Sequence, residues 1–277
     1  VTCAKDGSLI SKEFSFRSGA LPSDKITYIN KGTSGSIWIG TKQGLAEIVG
    51  DKAEILDSEK YFIGSYTASG TNYQVTATGE IFSGEGGRLV PRAAIPDGGG
   101  LVSGVMRAGK VLYMFTQNST YTFSSADGTV TKAPEKFILP YATGENDKEG
   151  NGFAHNNTGK ILFYDARIDS VFLFEAIPPE ILSTHGERYR FAISSDGILW
   201  VVTTADGLVS FNPADGSVEH LNIGQKIFDP MAGALICLID DNAGNIWAGS
   251  QYSGLFKLTR MPAGVDYIHF QNPGSPS

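Results

Sequence analysis

Short apolar segments, separated by turns that contain glycine, run along most of the chain. Residues 26–29, 45–48, 73–77, 111–115 and 161–164 are examples, and their apolar positions alternate or run together without a helical period. Such segments are typical of strands that are buried on one or both faces. No amphipathic helix longer than a turn or two is predicted. The pattern therefore predicts an all-β protein.

Three segments are copies of one motif. Residues 35–45 read GSIWIGTKQGL, residues 197–208 read GILWVVTTADGL, and residues 244–255 read GNIWAGSQYSGL. The copies contain all three tryptophans, Trp38, Trp200 and Trp247, at the same position. We expect these rings to pack between neighbouring sheets, so the loop that follows each ring is the better candidate for recognition.

The spacing of turn glycines predicts the architecture. The glycines placed before each predicted second strand are Gly35, Gly79, Gly109, Gly159, Gly197 and Gly244. They lie about 42 residues apart on average, which matches a four-stranded propeller blade of ~40–45 residues. In the second repeat Phe82 is expected to replace the tryptophan, and in the fourth repeat residues 161–164 and 171–174 are predicted as second and third strands.

We therefore predict a single β-propeller domain over residues 1–277, made of four-stranded antiparallel blades. The chain begins within a repeat, so the propeller is predicted to be seven-bladed with one partial blade, and a six-bladed propeller is the alternative. The partial blade covers residues 1–24. The predicted complete blades are residues 25–65, 66–99, 100–149, 150–187, 188–233 and 234–277.

Charge and hydropathy exclude some functions. The formal net charge of −7 argues against non-specific binding to nucleic acid or to an anionic membrane surface. The sequence has no run of ~18 apolar residues that would cross a bilayer. It also has no signal-peptide pattern at its N-terminus.

Few residues suggest chemistry. The two cysteines, Cys3 and Cys237, are too few for a disulfide framework and lack the spacing of metal ligands, and their redox state is left open. The glycine-rich runs at 84–87 and 98–100 precede no predicted helix, so they do not form a phosphate-binding loop. We predict no cofactor, no metal ion and no catalytic residue, and a non-enzymatic role is favoured.

The repeat motif resembles the two-component regulator propeller repeat. Leu-Pro-Ser at 21–23, an Ile-x-x-Ile pattern at 26–29 and the motif at 35–45 carry the resemblance, which returns in residues 191–211 and 234–258. The family forms periplasmic sensor regions of bacterial hybrid histidine kinases, especially those that respond to oligosaccharides. The resemblance implies a periplasmic or extracellular location in a bacterium. The membrane span and kinase modules of such sensors are absent from this sequence.

In a propeller the ligand usually binds where the loops between second and third strands meet the connections between blades. A set of amides, charges and an aromatic ring there would hydrogen-bond sugar hydroxyls and stack on a pyranose face. The candidate ligand-binding residues are Lys42, Gln43, Glu85, Arg88, Gln117, Asn118, Asp165, Arg167, His185, Asp206, Gln251 and Tyr252.

Three functions remain open at this point. The first is a non-enzymatic sensor or recognition propeller that binds a glycan, a peptide or a partner protein. The second is a propeller lyase of the streptogramin-lyase or polysaccharide-lyase kind, for which His185 and His155 are the base candidates. The third is a structural interaction domain of a larger surface protein.

Overall fold

The computed structural model describes most of the chain, in sixteen ranges: residues 2–3, 9–10, 13–32, 35–85, 87–96, 98–146, 150–156, 160–175, 190–194, 196–203, 207–212, 214–221, 235–241, 243–250, 254–261 and 264–270. It divides into two compact units, Val1–Thr143 (unit 1) and Gly144–Ser277 (unit 2). Each unit is described by itself.

Unit 1 contains three four-stranded antiparallel sheets in which consecutive strands are neighbours. Sheet 1 consists of β3 (Ile26–Lys31), β4 (Ile37–Thr41), β5 (Gly44–Val49) and β6 (Lys52–Asp57). Sheet 2 consists of β7 (Phe62–Ala68), β8 (Thr71–Thr76), β9 (Glu80–Glu85) and β10 (Arg88–Ala94). Sheet 3 consists of β11 (Val102–Ala108), β12 (Val111–Thr116), β13 (Thr120–Ser124) and β14 (Val130–Lys132), and a 3₁₀ helix (Glu135–Phe137) follows it.

A two-stranded sheet of β1 (Thr2–Cys3) and β2 (Leu9–Ile10) lies within the segment predicted as a partial blade. The side chains of Cys3 and Cys237 are outside the described part of the structure.

Unit 2 repeats the same arrangement. Sheet 4 consists of β15 (Thr143–Asn146), β16 (Gly152–His155), β17 (Lys160–Asp165) and β18 (Ser170–Glu175). Sheet 5 consists of β19 (Arg190–Ile193), β20 (Leu199–Thr203), β21 (Gly207–Phe211) and β22 (Val218–Leu221). Sheet 6 consists of β23 (Leu235–Asp240), β24 (Asn245–Ser250), β25 (Leu255–Met261) and β26 (Gly264–Phe270).

The core of unit 1 lies between its sheets. The aromatic and aliphatic residues of β8, among them Tyr73 and Val75, pack with Leu112, Met114 and Phe123 of sheet 3. This packing follows from the two-residue period of a strand, which directs alternate side chains to opposite faces of the sheet.

Trp38 fills the space between sheets 1 and 2. Its buried ring packs with Phe62 and Phe82 of sheet 2. It also lies over Gly84, where an added Cβ would be 2.4 Å from Trp38 Cη2. Sheet 2 therefore accommodates the indole because it has no side chain at this position, and the predicted packing role of Trp38 is confirmed.

The other two tryptophans differ from each other. Trp200 is buried against Ile246, Ala248 and other apolar residues of sheet 6, which again places the ring between consecutive sheets. Trp247 is only half-buried. Its Nε1 donates a hydrogen bond to Asp241 Oδ2 over 2.9 Å, and Lys257 Nζ lies 5.7 Å from its ring centre.

Two repeats are assembled differently from the prediction. Gly79 follows β8, so it lies between the second and third strands of sheet 2 and not before the second strand. Phe82 is accordingly on the third strand. In sheet 4, β17 and β18 are the third and fourth strands, because β15 and β16 precede them.

The predicted boundaries of the blades therefore differ from the sheets of the structure. The predicted boundary between residues 65 and 66 falls within β7, and the boundary between residues 149 and 150 separates β15 from the rest of sheet 4. Closure as one domain, with six or seven blades, stays a prediction.

Candidate functional site

One end of the sheets in unit 1 carries β-bulges, and we call it the bulged edge. It comprises the connections β4–β5, β8–β9 and β12–β13 and the segments that lead from one sheet to the next. At this end each first strand has one more residue than its partner, between Ile26 and Tyr28, Phe62 and Gly64, and Val102 and Gly104. The extra residues are Thr27, Ile63 and Ser103. Bulges of this kind often occur beside functional sites, where they redirect side chains.

Two of the bulge residues bond to backbone atoms outside their own sheet. Thr27 Oγ1 donates a hydrogen bond to the carbonyl of Phe62, the first residue of sheet 2. Ser103 Oγ lies 3.0 Å from the carbonyl oxygen of Ala142 and 3.1 Å from that of Phe115, and it can donate to either. Because the acceptors are backbone atoms, these bonds fix the course of the chain at Phe62 and at Ala142.

Backbone hydrogen bonds continue this connection. Ala77 N donates to the carbonyl of Tyr61 over 2.7 Å, and Val102 N donates to the carbonyl of Ala77 over 2.8 Å. Tyr141 N donates to the carbonyl of Thr116 over 3.1 Å. The segments that contain Tyr61, Leu101 and Tyr141 therefore belong to one continuous edge.

Large side chains are exposed in the segments that lead from one sheet to the next on this edge. Tyr61, Leu101 and Tyr141 retain 41%, 67% and 58% of their exposure, although each directly precedes a buried residue. The buried neighbours anchor the backbone, and the exposed side chains add little to the core. Exposed side chains of this kind provide apolar area that a ligand can cover.

Charged and hydroxyl side chains lie on the same edge. Lys60 Nζ donates to both carboxylate oxygens of Glu80, over 2.8 and 3.0 Å, and Thr78 Oγ1 donates to Glu80 Oε2 over 3.0 Å. Burial disfavours the charged carboxylate, but these hydrogen bonds outweigh it and hold the pKa of Glu80 below its usual value. The same hydrogen bond raises the pKa of Lys60. Lys42 Nζ lies 5.9 Å from the centre of the Tyr61 ring.

The structure places four of the predicted candidates on the bulged edge. Lys42 and Gln43 lie in the β4–β5 connection, and Gln117 and Asn118 lie in the β12–β13 connection. All four are exposed.

Four other candidates lie elsewhere, in hairpins between third and fourth strands. Glu85 pairs with Arg88 across the β9–β10 hairpin, at the other end of sheet 2 from Gly79. Asp165 and Arg167 lie in the turn between β17 and β18. Their placement between second and third strands was wrong, because it followed from the incorrect strand order in sheets 2 and 4.

Asp165 and Arg167 also have a local structural role. Arg167 Nε donates to Asp165 Oδ1 over 3.0 Å, and Arg167 Nη2 donates to Oδ2 over 2.6 Å. The backbone N–H of Arg167 donates to the same carboxylate. The hydrogen bonds from Arg167 lower the pKa of Asp165. The pair therefore stabilises the turn between β17 and β18, to which both residues belong.

The last four candidates, His185, Asp206, Gln251 and Tyr252, lie outside the described residues. His155, the other base candidate for a lyase, is in β16 with only 4% of its surface exposed. Burial lowers the pKa of His155 to about 4, so the imidazole is neutral at pH 7. A buried side chain of this kind is poorly placed to take a proton from a large substrate.

Sequence reasoning missed three exposed side chains of the segments between sheets. Tyr61 and Leu101 directly precede the first strands of sheets 2 and 3, and Tyr141 lies two residues before β15. A bulky residue recurring just before a buried one is the signal that would have identified them.

No metal site or membrane helix is found in the described part of the chain. No group of three or more His, Cys, Asp or Glu residues is arranged there to hold a metal ion. Within the same residues, no helix is long and apolar enough to span a membrane.

Comparison with known proteins identifies structural relatives only. No protein-family model and no curated protein matches the chain. The extracellular domain assigned to the hybrid two-component system BT4673 of B. thetaiotaomicron matches with a TM-score of 0.63 and 15% identity over 91% of this chain. The match covers 34% of that domain, so this chain spans about a third of its length.

Two further structures match most of both chains. Virginiamycin B lyase from Staphylococcus aureus has a TM-score of 0.64 and 13% identity, over 90% of this chain and 85% of the lyase. YCF48 bound to D1 peptide has a TM-score of 0.58 and 11% identity, over 88% of this chain and 80% of YCF48. At such identities the similarity establishes the fold. Together with the six four-stranded antiparallel sheets, it confirms the predicted all-β propeller fold.

Proposed function

We propose that this chain is a non-enzymatic propeller that recognises an extracytoplasmic ligand at the bulged edge. The observation that supports it is the exposure of Tyr61, Leu101 and Tyr141 on one edge, where backbone hydrogen bonds within and between the sheets hold the chain in place. Rigid, partly apolar surfaces with a few polar groups are typical of binding sites.

The kind of ligand follows from the same edge. Amide side chains at positions 43, 117 and 118 supply hydrogen-bond donors and acceptors, and Lys42 supplies a positive charge. These groups suit a glycan, a peptide or a segment of a partner protein. The peptide bound to YCF48 supports the second class for a protein of the same fold.

The proposal extends to a sensor role outside the cytoplasm. The repeat motif resembles the two-component regulator propeller family, and BT4673, a structural relative, is an extracellular domain. Under this proposal the chain is a recognition part of a longer periplasmic or extracellular protein, and signalling requires other segments.

Calorimetry with a panel of hexasaccharides and with random-sequence peptides tests the proposal. Ligand binding is expected to weaken in Tyr61→Ala and in Lys42→Ala. Val49→Ala and Arg88→Ala are matched controls, because both residues are exposed at the opposite end of the sheets. Equal losses in the controls, or no binding by the folded protein to any probe, would contradict recognition at the bulged edge.

A lyase is the second candidate, because virginiamycin B lyase matches along most of both chains. A form of that lyase described as catalytically inactive, with quinupristin, carries alanine in place of a histidine. Incubation of this chain with quinupristin, followed by chromatography, distinguishes the two functions. A converted product that disappears in His185→Ala would support a lyase, and unchanged quinupristin would favour recognition.

A structural interaction domain is the third candidate. It predicts that no small ligand binds, and that a protein partner is captured through surfaces that the variants at Tyr61 and Lys42 do not affect. The same set of variants therefore separates it from the first proposal.

A further inference from the structure

Tyr141 has an unusual backbone conformation for a bulky residue. Its φ angle is +56°, in the left-handed region that glycine adopts readily and that other side chains adopt at a cost in free energy. Only two other non-glycine residues of the described chain, Ser69 and Asp169, have positive φ.

The surrounding structure holds Tyr141 in this conformation from both sides. Leu139 and Ala142 are fully buried. Leu139 N donates to Thr120 Oγ1 over 3.1 Å, and the carbonyl of Ala142 accepts a hydrogen bond from Ser103 Oγ. Since these neighbours fix the chain, any residue at position 141 has to adopt the left-handed conformation.

The side chain of Tyr141 does not compensate for this cost. The residue is 58% exposed, so its ring contributes little buried area to the folded state. Glycine would fit the backbone better and would lose almost no packing. Strained residues that persist in this way are concentrated at ligand-binding and switch sites.

The immediate surroundings of Tyr141 are apolar and amide-rich. Thr116 connects Tyr141 to Leu101, because its carbonyl accepts from Tyr141 N and Thr116 pairs with Val102, the residue after Leu101. The exposed amides of Gln117 and Asn118 follow directly in the chain. The exposed aliphatic side chain of Leu101 on the same edge favours a ligand with apolar side chains over a sugar, and amides pair well with peptide groups.

We propose that Tyr141 is a ligand-contacting residue, held in a strained backbone so that its ring packs against an apolar side chain of an uncharged extended peptide. The amides of Gln117 and Asn118 would then pair with the peptide backbone. This inference rests on the proposed recognition function of the bulged edge and names its ligand class.

Stability of two glycine variants gives the first test. Tyr141→Gly is compared with Ser69→Gly, because Ser69 is also exposed and has a φ angle of +49° but lies in the β7–β8 hairpin at the other end of sheet 2. The urea midpoint is expected to stay the same or rise in both variants. A clear fall of the midpoint in Tyr141→Gly alone would show that the ring is structural, and it would overturn the inference.

Binding gives the second test. Random dodecapeptides displayed on phage are selected on the full chain, and the affinity of the best synthetic peptide is measured by calorimetry. Affinity is expected to fall about tenfold in Tyr141→Gly, since the loss of one stacked ring costs roughly that much. It is expected to be unchanged in Ser69→Gly and retained in Tyr141→Phe.

The outcomes separate this inference from the proposed function. Peptide binding that Tyr141→Gly leaves unchanged would overturn the inference and leave recognition at the edge intact. If a hexasaccharide binds through Tyr141 and no peptide is selected, the peptide class is wrong. If neither kind of probe binds the folded chain, both proposals fail.

Discussion

At one end of sheets 1, 2 and 3 every connection is a hairpin between neighbouring strands of one sheet, whereas at the bulged edge the chain also passes from one sheet to the next. The hairpins share a glycine with positive φ: Gly35, Gly50, Gly70, Gly87, Gly109 and Gly128. Local side chains complete some of them, as where Asp127 accepts hydrogen bonds from Thr129 N and Oγ1.

The bulged edge depends on distant residues. Thr27 reaches Phe62, Ser103 reaches Ala142, and Tyr141 N reaches Thr116. Tyr61, Leu101 and Tyr141 are exposed in the segments that lead from one sheet to the next. The difference teaches that the hairpin end contains only connections within a sheet, whereas the bulged edge combines connections between sheets with exposed side chains.

The largest effect is expected from Trp38→Ala, which should lower the free energy of unfolding by about 3–5 kcal/mol, because a large buried ring is lost. Trp247→Ala is the matched control in the same motif. Its ring is half-buried, so a loss of only about 1 kcal/mol is expected. Urea unfolding followed by circular dichroism measures both, and equal losses would contradict the different packing of the two copies.

Gly84→Ala should destabilise the protein by about 1–3 kcal/mol, because the new methyl group overlaps the Trp38 ring. The test is a double-mutant cycle with Trp38→Leu, measured by urea unfolding. In the Trp38→Leu background the added methyl group is expected to cost much less. Additive losses would show that Gly84 is needed for a reason other than space for the indole.

These two positions also show how far the sequence predicts the fold. The tryptophan motif identifies the first three strands of sheets 1, 5 and 6, because a turn glycine, an indole and a polar loop occur in fixed order. In sheet 2 glycines occur at both ends of the strands, so Gly79 alone does not reveal which turn it occupies. In sheet 4 the first strand, Thr143–Asn146, has no apolar residue to mark it.

The site is less predictable for a related reason. Lys42, Gln43, Gln117 and Asn118 were found because their position follows from the strand order within one sheet. The positions of Tyr61 and Tyr141 depend on backbone bonds to Ala77 and Thr116, residues distant in the sequence, and these are not visible in a local pattern. The strand-order error in sheets 2 and 4 displaced the remaining described candidates.

The pH dependence of stability tests whether His155, at the end of β16 in sheet 4, is solvated like the side chains of the bulged edge or buried like those of the interior. Its pKa of about 4 in the folded protein is below the usual value near 6.5, so the unfolded chain binds the proton more tightly. The contribution of His155 to the free energy of unfolding is therefore fully present above pH 6.5, and it is lost as the pH falls toward 4. Between pH 7 and pH 5 the loss from this residue is expected to be about 2 kcal/mol.

The measurement is urea unfolding at both pH values for the wild type and for His155→Gln. Because the carboxylates titrate in both proteins, the difference between the two pH dependences isolates the histidine. A pH dependence that is identical in both proteins would mean that the imidazole at this end of sheet 4 is solvated.

Ser103→Ala removes a hydrogen bond that connects sheet 3 to the next segment, and it should cost about 1 kcal/mol. Thr122→Ala is the control, because the Thr122 hydroxyl bonds to Thr131 on the neighbouring strand of its own sheet. A smaller loss, within about 0.5 kcal/mol, is expected there. Chemical unfolding compares the two, and a larger loss in the control would contradict the importance of bonds between sheets at the bulged edge.

The smallest effect is expected for the ion pair of Lys60 and Glu80. Both side chains are more than a third exposed, at 37% and 36%, so solvent screens their attraction. Glu80→Gln should change the free energy of unfolding by less than about 1 kcal/mol, and 1 M NaCl should reduce the change further. If the pair instead stabilised the fold strongly and without dependence on salt, this part of the bulged edge would be as structural as the hairpin end. A small effect on stability combined with weaker ligand binding would place Lys60 and Glu80 with Tyr61 among the residues that this edge presents for recognition.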